Sequence, residues 1–372
     1  MKTLLLSFLF LLSSLSAWSQ QMNANDLTTR PFLQQTAGQL LRGKQGSIVA
    51  IRPETGEIIC LATNTPTGSN TALAIATAYA PGSTIKPAQA LTMLSEGLIT
   101  PDLAVDCEEG FRDGNIRVGC HHHASPLTLV DALAQSCNTW FLSTFMSMLN
   151  DDFVYADKEE AITTWHAYMT SMGLGGPTGV DLPGEKGGLV ANVPYLNRRY
   201  PNGWDARTIL WVGMGQGDIT VTPLQLCCLA ASIANRGFFY TPHIHKGTAA
   251  HPLPERFTRR RQTRVTPEAY VAVIKGMRAA VERGTCTAAK ASYAVCGKTG
   301  TVENSGRDHS VFMGFAPMDD PKIAIAVYIE HGGFGADLAT PIASLVMEAY
   351  LSGKLSEPSK TKAQRIANIR LY

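Results

Sequence analysis

The sequence predicts a mixed α/β (α+β) fold in which one central antiparallel sheet is closed by both ends of the chain and flanked by helices. Three observations carry this reading: a hairpin signal near the N-terminal end, a second near the C-terminal end, and apolar-periodic helical stretches between them.

In chain order, the first nineteen residues stand apart. Lys2 precedes an apolar run from Leu4 to Leu12 broken only by Ser7, and Ala17-Trp18-Ser19 follows with the small residues of a cleavage site. This is the pattern of a secretory signal peptide, because its apolar core is shorter than the ~20 residues a membrane span needs. It predicts an exported, periplasmic or cell-envelope protein, with membrane attachment only if that segment is retained as an anchor. A lead segment over residues 20–46 follows it.

The main domain is read as residues 47–352. Ser47–Arg52 and Glu57–Ala62 flank the turn sequence Pro53-Glu54-Thr55-Gly56, and Val311–Phe315 and Lys322–Glu330 flank Pro317-Met318-Asp319-Asp320-Pro321. Between the two hairpins, helical spacing appears over Ala88–Gly97, Leu127–Leu149, Pro223–Arg236 and Pro267–Arg283. Leu338–Leu351 reads as a closing amphipathic helix, and residues 353–372 as a polar, solvated tail.

The 372 residues carry 32 Lys plus Arg against 30 Asp plus Glu, a net charge of +2, with 45% hydrophobic and 17% charged residues. That balance excludes a polybasic nucleic-acid binder and a mostly disordered chain. Export permits disulfides, so the eight cysteines are read for pairs. Cys107 with Cys120 is favoured, since they bracket a Gly-rich segment that reads as a hairpin or loop. Cys286 with Cys296 is second, and Cys227-Cys228, in an apolar run, reads as buried free thiols.

Chemistry starts at Pro81-Gly82-Ser83-Thr84-Ile85-Lys86-Pro87, a turn leading into a helix. Three residues advance a helix by about 300° and about 4.5 Å, so Lys86 lies one turn above Ser83 on nearly the same face. Pro87 is tolerated because the first turn's N–H groups have no intrahelical partner. Alone the motif is weak, since chance gives on the order of one Ser-x-x-Lys in a chain this long, and a second copy spans Ser359 to Lys362. Specificity comes from Ser136-Cys137-Asn138, in a helical region, and Lys298-Thr299-Gly300-Thr301, on a β-like run. Ser-x-x-Lys, Ser-x-Asn and Lys-Thr-Gly in this order are the signature of active-site serine penicillin-recognising enzymes.

In these residues the chain resembles class B penicillin-binding proteins of the elongation type. Thr178–Glu185, Gly215–Gly217 leading to Thr222–Gln225, Ile233–Gly237 and Gly314–Pro317 extend the resemblance over about Ser47 to Leu351. It implies a β-lactamase/transpeptidase-like fold, a DD-transpeptidase that cross-links cell wall, peptidoglycan stem peptides and β-lactam antibiotics as partners, and no cofactor or metal. Two departures stand out. Such proteins usually carry a long N-terminal pedestal domain, whereas about 25 residues separate the signal from the first strand here. The aromatic residue that often follows the histidine of a segment like Asp308–Phe312 is also displaced.

Acyl transfer needs each of these residue types. A serine hydroxyl is a poor nucleophile until a base takes its proton. Lys86 is the nearest candidate base, and at an ordinary pKa near 10.4 only about one lysine in two thousand is neutral at pH 7, so it needs roughly 3 units of depression. Burial and the like charge of Lys298 are the available causes. Ser136 is expected to relay the proton to the leaving amine and Asn138 to hold the peptide amide. Lys298, Thr299 and Thr301 bind the terminal carboxylate, the Ser83 and Thr301 N–H groups form the oxyanion hole, and Gly300 leaves room for a substrate backbone.

Competing readings are weighed on the same residues. Tyr195-Leu196-Asn197 and Tyr200-Pro201-Asn202 offer a Tyr-x-Asn second element, in a segment that reads as a turn-rich loop. His121-His122-His123 reads as surface rather than metal site, because three adjacent residues do not converge on one ion unaided. A β-lactamase or DD-carboxypeptidase is the alternative activity, although neither a Glu-x-x-Leu-Asn segment nor a Tyr-Gly-Asn triplet is present. A non-catalytic β-lactam or peptide-binding protein is the lesser alternative.

Overall fold

The computed structural model describes residues 26–249 and 251–372, so the signal-peptide reading of residues 1–19 lies outside the described residues. Among the described residues, no helix is long and apolar enough to cross a membrane. Helix α1 (Pro31–Leu41) leads into strands β1 (Gly46–Ile51) and β2 (Ile58–Asn64), the first expected hairpin. Strands β3 (Gly110–Asp113) and β4 (Ile116–Gly119) form a separate small hairpin between helix α2 (Lys86–Ser95) and helix α3 (Leu129–Gln135). Helices α4 (Asn138–Leu149), α5 (Pro223–Ala234) and α6 (Pro267–Arg283) follow. The chain then returns to the sheet through β5 (Cys296–Val302), β6 (His309–Ala316) and β7 (Ile323–Ile329), and ends in α7 (Ala339–Ser352) and α8 (Glu357–Asn368).

The five-stranded sheet has the order β2-β1-β7-β6-β5, antiparallel throughout, so β1 joins the two sequence-distant hairpins by pairing with β7. Both faces are covered, which explains why the strands read as unbroken apolar runs. Period-2 alternation divides them: Val49, Ala324, Ala326 and Tyr328 pack on the α5 side, whereas Ile48, Ala50, Ile325 and Val327 pack against α1 and α7.

Four expectations are corrected. The single helix expected over Leu127–Leu149 is two helices, because Ser136 adopts the left-handed conformation (φ 57°) and ends α3, while Cys137 caps α4 by accepting the Trp140 N–H at its sulfur. All eight cysteines are free thiols; Cys286 and Cys296 pack into cores on opposite sides of the sheet, so they cannot pair. The polar tail forms α8, held by Lys44, whose buried Nζ donates to the Ile366 and Ile369 carbonyls at 2.7 and 3.1 Å. Tyr195-Leu196-Asn197 lies on a short helix, Val193–Arg199, rather than a loop, and the Tyr195 and Tyr200 hydroxyls both donate to Asp218, at 2.8 and 2.6 Å.

Candidate active site

Ser83 sits in a one-turn 3₁₀ helix, Gly82–Ile85, that runs directly into α2. With three residues per turn, Ser83 and Lys86 fall on one face. The turn is pressed against β5. Gly82 has φ +53°, and a Cβ there would come 2.8 Å from the Thr301 carbonyl oxygen, so both backbone angle and space demand glycine. Gly300 answers from the strand, because its missing Cβ faces the Pro81 carbonyl oxygen at 2.9 Å. Gly300 thus makes room for the Ser83 turn.

Lys86 and Lys298 are fully buried, and among the described residues no carboxylate pairs with either. Lys86 Nζ donates to the Ser136 carbonyl at 2.8 Å and to Asn138 Oδ1 at 2.7 Å, and lies 3.4 Å from Ser136 Oγ. Lys298 Nζ donates to Ser136 Oγ at 2.8 Å. Burial first, then the charge of Lys298, holds the Lys86 ammonium well below the usual lysine range. Burial lowers Lys298 to about 8. These are the two causes the sequence argument invoked. The left-handed kink at Ser136 is what turns both its carbonyl and its hydroxyl toward the lysines.

A cavity of about 600 Å³ opens above this floor, lined by Ser83, Ser136, Asn138, Thr299 and Thr301 together with Val118 and Met214. Ser83 Oγ lines it without a hydrogen bond to any described residue. Thr299 is fixed by a 2.6 Å hydroxyl contact with Thr285, a residue the sequence argument missed because it comes from the loop after α6. The expected site residues therefore converge from three chain segments, with Lys86 and Lys298 beneath the cavity and Gly300 behind it. The Tyr-x-Asn candidates and the Ser359–Lys362 copy lie outside its lining.

Residues 46–348 match the family of penicillin-binding protein transpeptidase domains. The chain belongs to that family. Among curated relatives, peptidoglycan D,D-transpeptidase MrdA of Acinetobacter baumannii is 31% identical over 368 residues, covering 83% of this chain and 52% of the relative. MrdA of Haemophilus influenzae is 26% identical, covering 90% and 57%. The chain thus spans about half the length of these relatives. Among solved structures, Pseudomonas aeruginosa PBP2 in complex with WCK 5153 superposes with a TM-score of 0.77 at 29% identity, covering 89% of this chain and 77% of that one.

Beside this cavity lies a cluster that the sequence does not reveal as a unit. The ligand atoms of Cys107, Cys120, His123 and Cys137 all lie within 4.8 Å of one another. Cys120 is held well below the usual thiol range, chiefly by the hydrogen bond from Cys137 and further by those from His123 and the Asn138 and Thr139 N–H groups. Three cysteines and one histidine are a donor set for tetrahedral zinc, whose sulfur–sulfur edges of about 3.8 Å this cluster could meet with small shifts. The residues that could hold a metal thus tie the β3–β4 hairpin to Ser136 and Asn138; the Asn138 N–H donates to Cys120 Sγ at 3.2 Å. The available signal was Cys120-x-x-His123, a metal-ligand spacing hidden by reading the histidines together and the cysteines as disulfides. Reduced protein is expected to take up one equivalent of Zn²⁺ with protection of its thiols. Chelation should lower the Tm by roughly 5–10 °C. Elemental analysis and thermal scans check this, and thiols equally reactive with and without zinc would rule it out.

Proposed function

We propose that this chain is a serine acyl transferase for peptides ending in D-Ala-D-Ala, a DD-transpeptidase of cell-wall cross-linking, with residues 47–352 as its catalytic unit. The observation that carries the reading is the pair of buried lysines, without acidic partners, meeting at Ser136 beneath a cavity that exposes Ser83. The likeness to MrdA proteins supports it.

A neutral Lys86 amine keeps two N–H donors for the Ser136 carbonyl and Asn138 Oδ1 and has one lone pair left. That lone pair accepts the Ser83 proton as Oγ attacks the penultimate residue's carbonyl carbon. The N–H groups of Ser83 and Thr301 receive the developing oxyanion. Ser136 Oγ, between both lysines, passes the proton to the leaving D-Ala nitrogen. Thr299 and Thr301, with the Lys298 charge behind them, hold the terminal carboxylate. An acceptor amine then attacks the acyl-Ser83 ester along the reverse path. β-Lactams, which present a carboxylate beside a strained amide, acylate the same hydroxyl. The likeness to MrdA proteins supports a place in the periplasm or cell envelope.

The experiment is product analysis with a pentapeptide donor, with and without an amine acceptor. D-Ala release with the acyl group recovered chiefly on the acceptor amine is expected. Hydrolysed tetrapeptide as the sole product at saturating acceptor would make the protein a DD-carboxypeptidase instead.

A further inference from the structure

Of the eight thiols, only Cys120 lines the catalytic cavity. It directly follows β4 and is half-buried, and its N–H donates to the Glu109 carbonyl at 3.0 Å, so the β3–β4 hairpin holds it in place. Two buried thiols, Cys107 and Cys137, lie behind it, with the three sulfurs within 4.8 Å of one another. These two differ in what they touch. Cys137 hydrogen-bonds to Cys120 itself, whereas Cys107 Sγ donates to Thr139 Oγ1 at 3.1 Å.

In the cell envelope, thiols meet disulfide-bearing oxidants. Exchange needs an attacking sulfur that a second molecule can reach and a resolving thiol beside it. Cys120 and Cys137 are arranged in this way. When a small disulfide RS–SR enters the cavity, the Cys120 thiolate attacks one of its sulfurs, the S–S bond breaks, and one RS⁻ leaves and takes up the proton that Cys120 gave up. Cys137 then attacks the Cys120 sulfur of the mixed disulfide, forms the Cys120–Cys137 bond and releases the second RSH. The protein gives up two electrons and two protons, and RS–SR is reduced to two RSH.

The bond would reach the catalytic floor. At about 2 Å it is shorter than any non-bonded contact, so forming it draws the α3–α4 junction and the hairpin together. It also alters the sulfur that accepts the Asn138 N–H at 3.2 Å. Cys137 lies between Ser136 and Asn138, whose carbonyl and Oδ1 hold Lys86 Nζ at 2.8 and 2.7 Å. A displacement of Cys137 therefore moves both partners of Lys86.

We propose that Cys120 is a thiol–disulfide exchange site resolved by Cys137, and that the disulfide they form slows acylation of Ser83. The slowing rests on the acyl-transferase reading; the exchange does not.

The test treats the reduced full chain with excess cystamine, a small disulfide, in the presence of a chelator that keeps the thiols free of metal. It reads intact mass, disulfide-linked peptides and the rate of labelling by penicillin G. The native chain is expected to become two hydrogens lighter, with Cys120 linked to Cys137. Its labelling rate should fall at least about fivefold, because small misplacements of reacting groups cost up to about 10²-fold. Dithiothreitol should restore both mass and rate. Cys137→Ser keeps a side chain able to cap α4 and should stop at the mixed disulfide, one cysteamine heavier on Cys120. Cys120→Ser should take up nothing and label at the same rate before and after cystamine. A native chain that stays reduced, or that links Cys120 to Cys107, overturns the exchange. An unchanged labelling rate in the linked chain overturns its effect on Ser83. If penicillin G labels not even the reduced chain, the acyl-transferase reading falls and the slowing with it, while the mass shift still reports the exchange.

Discussion

Ser83→Ala is expected to abolish covalent labelling by penicillin G, whereas the native chain should gain one penicillin mass per molecule. The loss should be at least about 10³-fold, since removal of a catalytic serine eliminates the bond-forming step rather than weakening it. The other hydroxyl at the floor, Ser136, is engaged by Lys298 at 2.8 Å, whereas Ser83 Oγ is open to the cavity. Intact-mass measurement decides the matter; an alanine variant labelled as fully as the native chain would move the nucleophile elsewhere. The native adduct should also persist for many minutes in a chase with unlabelled drug. An acceptor amine must compete with water near 55 M, and a transpeptidase succeeds only if its ester resists hydrolysis.

Elements fixed by short-range pattern are legible in the sequence. The two hairpins announce themselves by apolar runs around Pro53–Gly56 and Pro317–Pro321, and α6 occupies the expected Pro267–Arg283. Ser-x-x-Lys was readable because both residues share one helical turn. Features that depend on tertiary packing were hidden. A left-handed Ser136 is costly for a residue with a Cβ, by an amount of order 1 kcal/mol, and nothing in Ala134-Gln135-Ser136-Cys137 announces that the fold imposes it. Gly300 is needed because Pro81 approaches the strand from a segment more than two hundred residues away. The metal-donor cluster draws on Cys107, the Cys120–His123 loop and the α3–α4 junction, so only one of its spacings is local. Helix α8 was a different kind of miss. Ser356-Glu357-Pro358 has the composition of a helix start, with Pro in the first turn, but its low apolar content made it read as a solvated tail.

Lys298 separates two roles that a single substitution would confuse, and its replacements are expected to diverge. In the proposed mechanism the Lys298 charge holds the substrate carboxylate, and it is also one cause of the lowered Lys86 pKa, so Lys298→Ala should lower β-lactam acylation by about 10²–10³-fold, or ~3–4 kcal/mol. Lys298→Arg keeps the charge with altered geometry and should retain partial acylation. The pH profile supplies the sharper criterion. Acylation needs Lys86 neutral, so the rate rises as pH passes its lowered pKa; it needs Lys298 protonated, so the rate falls above about 8, where burial places the loss of that proton. The native chain should therefore show a bell-shaped profile with its alkaline limb near 8. A guanidinium does not titrate in this range, so Lys298→Arg should lose the alkaline limb while its acidic limb remains. Measuring second-order acylation rates from pH 5 to 10 for the three proteins tests both claims. Equal rates for the arginine and alanine variants would remove the electrostatic role, and an alkaline limb that survives in the arginine variant would assign that ionisation to another group.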